Sequence, residues 1–351
     1  MKILCSLLLC LLPLLTWAEE KVELSTIEKK KTIIKLFDVS SNDNLLIDNQ
    51  FGQVSVGLWD KSEIRVQITI IANSDSDERV QKFLDAVSIE EKRTGNQIMV
   101  RTNFSQNTVS NWSFGKWKDG GERNFVKINY EVMMPRQNAL SVRNKFGNTS
   151  IPAFQAPLTV YSRYGNFSAD DLTSRQNDID VAYGKADIGN FGQGKVDMAY
   201  GDLELSRANV LVLTNKFGKM SIGNVGKLDA DINYSGAKIG TLRESGKIRI
   251  EFSSGFRIDQ LPKTAENLNI QAAYSSIGLP LDTDNDCDFD VTVSYGNFNY
   301  GSGSTMHFTS QPNENDNHRG PRLTKQYIGK VGSGSGTKVR VVSKFGNVSF
   351  R

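Results

Sequence analysis

Cysteine is nearly absent from this chain of 351 residues: there are three, and two of them, Cys5 and Cys10, lie in the first ten positions. Beyond that leader Cys287 stands alone, so no internal disulfide can staple the remainder. Histidine is scarcer still. His307 and His318 are the only two, and neither has partners at metal-ligand spacing. After residue 18 no stretch approaches the roughly 18 consecutive apolar residues of a membrane-spanning helix. A one-signed charge is missing too: 42 basic residues face 39 acidic ones, a net charge of +3, which excludes the electrostatic footprint of a nucleic-acid binder. The fold must be held by burial and backbone pairing.

What is present begins with "MKILCSLLLCLLPLLTWA". One lysine, an apolar run and a Thr-x-Ala ending at Ala18 have the layout of a secretory signal peptide, residues 1–18, cut before Glu19. Lipidation at Cys10 is disfavoured because Leu9 stands where a small residue is wanted. No transmembrane segment is expected once the signal is removed.

The dominant feature is repetition. An aromatic followed by glycine recurs at Phe51-Gly52, Phe146-Gly147, Tyr164-Gly165, Tyr183-Gly184, Tyr200-Gly201, Phe217-Gly218, Tyr295-Gly296 and Phe345-Gly346. Tyr234-Ser235 and Tyr274-Ser275 fill the slot with serine, and Ser253-Ser254 reads as a degenerate copy. From Gly147 to Gly296 the spacing is 17–21 residues, a period that marks stacked repeats. Before the glycine, apolar residues alternate, as in Leu158, Val160 and Tyr164. After it they fall at plus two and plus four (Leu203, Leu205) and again at plus seven (Phe154, Leu172, Phe191). Alternation gives strands with one buried face, and each step of three gives a corner. The predicted fold is all-β dominated: a single-stranded β-solenoid of about 17–21 residues per coil, stacked at about 4.8 Å. By the same alternation the recurring aromatic is expected to point inward as a core ladder, with an exposed sugar-binding strip as the alternative.

Departures from the repeat define the other parts. Residues 19–139 read as an N-terminal α+β lobe that includes the first coil, with strands at 63–72, 96–104 and 125–134. One short helix is expected from Asp77 to Val87, with Val80, Phe83, Leu84 and Val87 on one face and Ser74 or Ser76 as cap. Such a lobe would cover the open end of the stack. Residues 140–300 carry the repeats, 301–337 form a flexible insertion rich in glycine, serine and asparagine, and 338–351 form the final repeat. The aperiodic loop 105–124 holds Trp112, Phe114 and Trp117. Its tryptophans, Trp112 and Trp117, are candidate ligand-binding residues able to stack on a sugar or grip a partner. The other reading is a latch folded onto the lobe.

Chemistry-bearing motifs are mostly excluded. Asp282, Asp284 and Asp286 alternate as in a calcium loop, but position six is Cys287 and position twelve Val293. The sharp turn and the bidentate ligand are therefore missing, and only weak divalent-cation candidates remain. "GSGSGTK" (332–338) lacks the order of a phosphate loop, and "GNFGQG" (189–194) has no βαβ unit around it. Asp170, Asp171, Asp178, Asp180 and Asp187 could pair as hydrolase carboxylates, yet they fall in turns or alternate outward. No catalytic residue and no cofactor is assigned.

The stretch "DNQFGQVSVGLWDKSEIRVQITI", the helix and the "KFGNTSI"-type copies together resemble the bacterial "putative adhesin" family of exported β-solenoid domains, a domain of unknown function. The resemblance covers most of residues 31–300 and the final copy. It implies a non-enzymatic protein of the bacterial envelope, in the periplasm or at the cell surface, and transfers no site residues. The expected function is adhesion-type binding or scaffolding toward an envelope protein or glycan. The alternative is a β-helix carbohydrate-active enzyme, a polysaccharide lyase or hydrolase.

Overall fold

The computed structural model describes residues 26–105, 124–281, 286–301, 306–312, 323–334 and 336–351. Those residues are all-β apart from one helix, and their strands join in one open, 25-stranded hydrogen-bonded sheet. The expected signal peptide lies outside the described residues.

Two rows of parallel pairing run through the repeats. In one row, Asn44–Gln50 pairs with Ala139–Lys145, then Leu158–Arg163, Asn177–Ala182 and Ala186–Ala199, each partner one repeat further along the chain. In the other, Val54–Trp59 leads to Thr149–Ile151, Phe167–Ala169 and again Ala186–Ala199. From Ala186 to Glu251 both rows belong to single strands of 14–16 residues that bend at the middle corner, in register except for a shift between Val225 and Lys227 where Lys219–Asn233 meets Gly236–Glu251. The expected inward positions are buried: Leu203 and Leu205, Met220 and Ile222, then Phe154, Leu172, Phe191, Ala208 and Val225 at plus seven. One repeat alone could not enclose these side chains. Stacking aligns like with like and removes them from water, at about 25 cal/mol per Å² of apolar surface.

Glu63–Ser74 is the centre of an antiparallel trio with Ile27–Asp38 and Phe125–Pro135, and Phe125–Pro135 also pairs with Val54–Trp59. The hairpin of Val87–Thr94 and Gln97–Phe104 pairs with Asn44–Gln50, so both rows continue into these N-terminal strands. The helix spans Asp77–Asp85. Ser76 caps it by accepting from the Arg79 N–H, and Val80 and Leu84 are its buried residues. Ser74 instead donates to Asn124 Oδ1 at 2.6 Å.

Three expectations are corrected. The slot expected at Ser253-Ser254 is Phe252-Ser253: Phe252 has the same positive φ as the other corner aromatics, so this copy sits one residue earlier and keeps its ring. The final repeat does not follow the one before it in space. Thr337–Lys344 inserts between Asn267–Ala273 and Cys287–Ser294, pairing with both. The insertion at 301–337, expected to be flexible, contains strands Met306–Ser310 and Thr324–Val331 in its described residues. They pair antiparallel with each other, and Thr324–Val331 extends the row beyond Cys287–Ser294. Phe308 packs there against Phe289 at a ring separation of 5.7 Å and Tyr327 against Phe298 at 5.1 Å, both against the core.

Candidate functional site: an exposed column of aromatic rings

The recurring aromatics do form a single column, but it faces water instead of the core. Phe51, Phe146, Tyr164, Tyr183, Tyr200, Phe217, Tyr234, Phe252, Tyr274, Phe345 and Tyr295 follow one another with ring centroids 4.6–5.1 Å apart and planes within 1–9°. From Phe146 onward each ring is 44–55% exposed. Ten steps at the inter-strand spacing carry the column roughly 48 Å.

The cause is the backbone at the aromatic itself. Every one of these residues has φ between 50 and 64°, the left-handed region that bulky side chains seldom enter. Strict alternation would turn the ring inward, and the left-handed corner swings it out instead. The last inward residue is therefore two positions earlier: Asn49, Asn144, Ser162, Val181, Met198, Asn215, Ile232, Ile250, Ala272, Ser343 and Val293 are all buried. Some of the polar ones brace the corner. Asn144 Nδ2 donates to the carbonyls of Gly147 (3.0 Å) and Asn148 (3.1 Å), and Ser343 Oγ donates to that of Gly346 (3.1 Å). The corner N–H is satisfied across the stack, as where Phe146 donates to Arg163 O at 2.9 Å.

Glycine follows the aromatic for lack of room, not for its own dihedral. A Cβ on Gly201 or Gly218 would lie 1.9 or 1.8 Å from the carbonyl oxygen of the preceding glycine in the stack. The bend expected at the glycine is made by the aromatic.

Both flanks of the column lean positive. The residues just before the rings and just after the glycines include Lys145, Arg163, Lys185, Lys216, Lys219 and Lys344, against Asp202 and Glu251. Arg163 is tied to Asp180 and Lys185 to Glu204. The exposed Lys145, Lys216, Lys219 and Lys344 have no ion-pair partner among the described residues. The ring faces are covered by neighbouring rings, so what the column presents outward is ring edges, tyrosine hydroxyls and lysine ammonium groups.

Trp112 and Trp117 are outside the described residues, as are Asp282 and Asp284. Asp286 is engaged within its own corner of the fold, where its carboxylate accepts from Ser333 N at 2.8 Å and pairs with Lys263 at 3.1 Å. The Ser333 N–H and the Lys263 ammonium hold it below the usual carboxylate range. Among the described residues no three His, Cys, Asp or Glu side chains converge as a metal site. Of the aspartates weighed as hydrolase carboxylates, two bind across the stack, Asp180 to Arg163 and Asp171 to Asn190, and Asp187 pairs with Lys185 two residues before it. Cys287 is fully buried, and burial pushes its thiol up to about 12.

No family model matches the chain, and no curated protein matches it either. Among solved structures it is similar to a putative cell adhesion protein from Clostridium sporogenes ATCC 15579 at 10% identity, over 92% of this chain and 99% of that one, with TM-score 0.23. It is also similar to a putative adhesin from Bacteroides fragilis NCTC 9343 (12% identity, 92% and 97% coverage, TM-score 0.28). A third is a putative lipid binding protein from Parabacteroides distasonis ATCC 8503 (9% identity, 91% and 96% coverage, TM-score 0.33). At these identities and TM-scores no residue role is carried over from them.

Proposed function

We propose that the chain is a non-enzymatic binding module of the bacterial envelope, exported by its leader, in which a β-solenoid of residues 140–300 and 338–351 serves as a rigid frame for the aromatic column. The N-terminal lobe, 19–139, covers one end. The supporting observation is the column itself. Ten rings about half exposed in unbroken succession amount to a long apolar ridge, and contiguous exposed apolar surface on a soluble protein marks a contact surface.

The geometry favours a protein over a glycan as the ridge's partner. Sugars stack on aromatic faces, and here each face between Phe51 and Tyr295 is occupied by the next ring. A groove with apolar walls and acidic rims would complement the ring edges and the unpaired lysines.

The test uses the full chain as bait in envelope extract, beside a variant carrying Tyr183→Ser, Tyr200→Ser and Lys216→Glu, with circular dichroism to verify that the variant is folded. A partner held by the native chain, released by the folded variant and weakened by salt supports the reading. Retention by the variant refutes the ridge as the contact surface. Sugar release from a polysaccharide panel by the native chain, abolished by change of any outward aspartate, would replace the binding reading with the enzyme one.

A further inference from the structure

A second surface, independent of the aromatic ridge, lies where the chain inserts its final repeat. Four strands run side by side there: Asn267–Ala273, Thr337–Lys344, Cys287–Ser294 and Thr324–Val331. Their outward residues form a grid. One rank is Asn267, Lys338, Asp288 and Lys330; the next is Asn269, Arg340, Asp290 and Ile328. Above this grid is an open groove of about 470 Å³, and Thr309 adds to its wall. Thr309 falls at a register shift between Phe308 and Ser310 in the edge strand, and such a bulge bends a strand out of the sheet. The volume is within the range of small-molecule sites.

The charges in the groove are not paired as their register would allow. Lys338 stands beside Asp288 and Arg340 beside Asp290 on adjacent strands, yet neither cation has an ion-pair partner among the described residues. The carboxylates are engaged on their other side. Asp290 Oδ1 accepts from Gln326 Nε2 at 2.8 Å, and Asp288 Oδ1 is 3.9 Å from Lys330 Nζ. That separation is outside hydrogen-bonding reach. Asp288 Oδ1 is shut off from solvent and has no hydrogen-bond donor.

The groove thus offers two unpaired cations flanked by the amides of Asn267 and Asn269, beside the partly exposed carboxylate of Asp288. Its complement is a molecule that carries an anion and hydroxyl donors within one sugar ring's width. We infer that this groove binds an acidic sugar unit, its oxyanion between Lys338 and Arg340 and a hydroxyl donating to Asp288. A hydrogen bond to a charged group is among the stronger ones, so a hydroxyl donating to the accessible part of this carboxylate adds selectivity to the attraction of the cations. The oxyanion is a carboxylate or a phosphate, and the experiment separates the two.

The test titrates the full chain by calorimetry with oligogalacturonate, with the neutral oligogalactose of equal length, with galactose 6-phosphate and with inorganic phosphate. Expected is binding of one or both acidic sugars, at least tenfold tighter than the neutral oligomer and than phosphate alone. Oligogalacturonate ahead of galactose 6-phosphate identifies a carboxylate, and the reverse order a phosphate ester. Lys338→Gln with Arg340→Gln should weaken that binding at least tenfold with the thermal midpoint unchanged, because both side chains are exposed. Asp288→Ala should reduce the preference over inorganic phosphate without abolishing attraction of the anion. Equal binding of the neutral oligomer, equal binding of inorganic phosphate, no binding of any probe, or full affinity in the Lys338/Arg340 variant would each overturn the inference.

Discussion

Replacing Tyr200 separates the two energies that the corner sets against each other. Its φ is 54°, a conformation that costs an L-residue with a Cβ roughly 1 to 2 kcal/mol. Opposing that, the ring stacks on Tyr183 at 4.9 Å and on Phe217 at 4.8 Å, and each such pair contributes about 0.5 to 1.5 kcal/mol. Tyr200→Ala keeps the strain and loses both stacks, so it should cost about 1 to 3 kcal/mol. Tyr200→Gly loses the same stacks but relieves the strain; after about 0.5 to 1 kcal/mol of extra backbone entropy in the unfolded chain, it should be more stable than the alanine variant by about 0.75 kcal/mol at mid-range and at most about 1.5 kcal/mol. Tyr200→Phe should be neutral, since stacking and φ are both kept. Urea unfolding followed by circular dichroism reads these differences as midpoint shifts, with m-values compared first because stacked repeats can unfold in parts. An alanine variant as stable as the glycine variant, or stable as the native chain, would mean that the rings neither strain nor hold the corner.

Other expectations follow from individual side chains. Asn215 is buried between Met198 and Ile232 with neither amide atom hydrogen-bonded, whereas Asn144 in the equivalent position donates to several carbonyls. Asn215→Leu should therefore stabilise by about 1 kcal/mol or more and Asn144→Leu destabilise by at least that, measured by urea midpoint. Cys287, its thiol raised to about 12 by burial, is favoured in its protonated form by the fold. That contribution is complete below the ordinary thiol range and is lost as pH rises toward 12. Ellman's reagent at pH 8 should show a slow phase, limited by opening of the fold, that disappears in Cys287→Ser. Fast labelling of every thiol would contradict the burial. Buried Asp43 accepts from the Ser40 N–H at 2.7 Å and its hydroxyl at 2.9 Å and meets Arg93 at 3.0 Å, which holds its carboxyl below the usual range. Its contribution is present above the ordinary carboxylate pKa and lost as pH falls through the lowered one, so thermal stability should drop on acidification below about pH 4, and less so in Asp43→Asn.

Sequence pattern alone sorted most strand residues between core and surface. Alternation before the glycine and the steps of three after it placed Leu158, Val160, Leu203, Leu205, Phe191 and Leu242 in the core, because a strand with one wet face leaves no other choice. The helix cap was legible only as Ser74 or Ser76, and the folded chain uses Ser76. Parity failed at the aromatic, since a single left-handed residue reverses the side chain's direction and alternation has no means of registering φ. What could have betrayed it was the glycine, small where the stack's carbonyls crowd closest. The order of the last repeats was beyond the sequence altogether. All copies carry one pattern, so any of them could pair with any other, and only the folded chain fixed Thr337–Lys344 between Asn267–Ala273 and Cys287–Ser294. The same tertiary choice assembled the groove at Lys338, Arg340 and Asp288 from segments up to 71 positions apart, Asn267 to Lys338, a neighbourhood that exists only once the strands are paired.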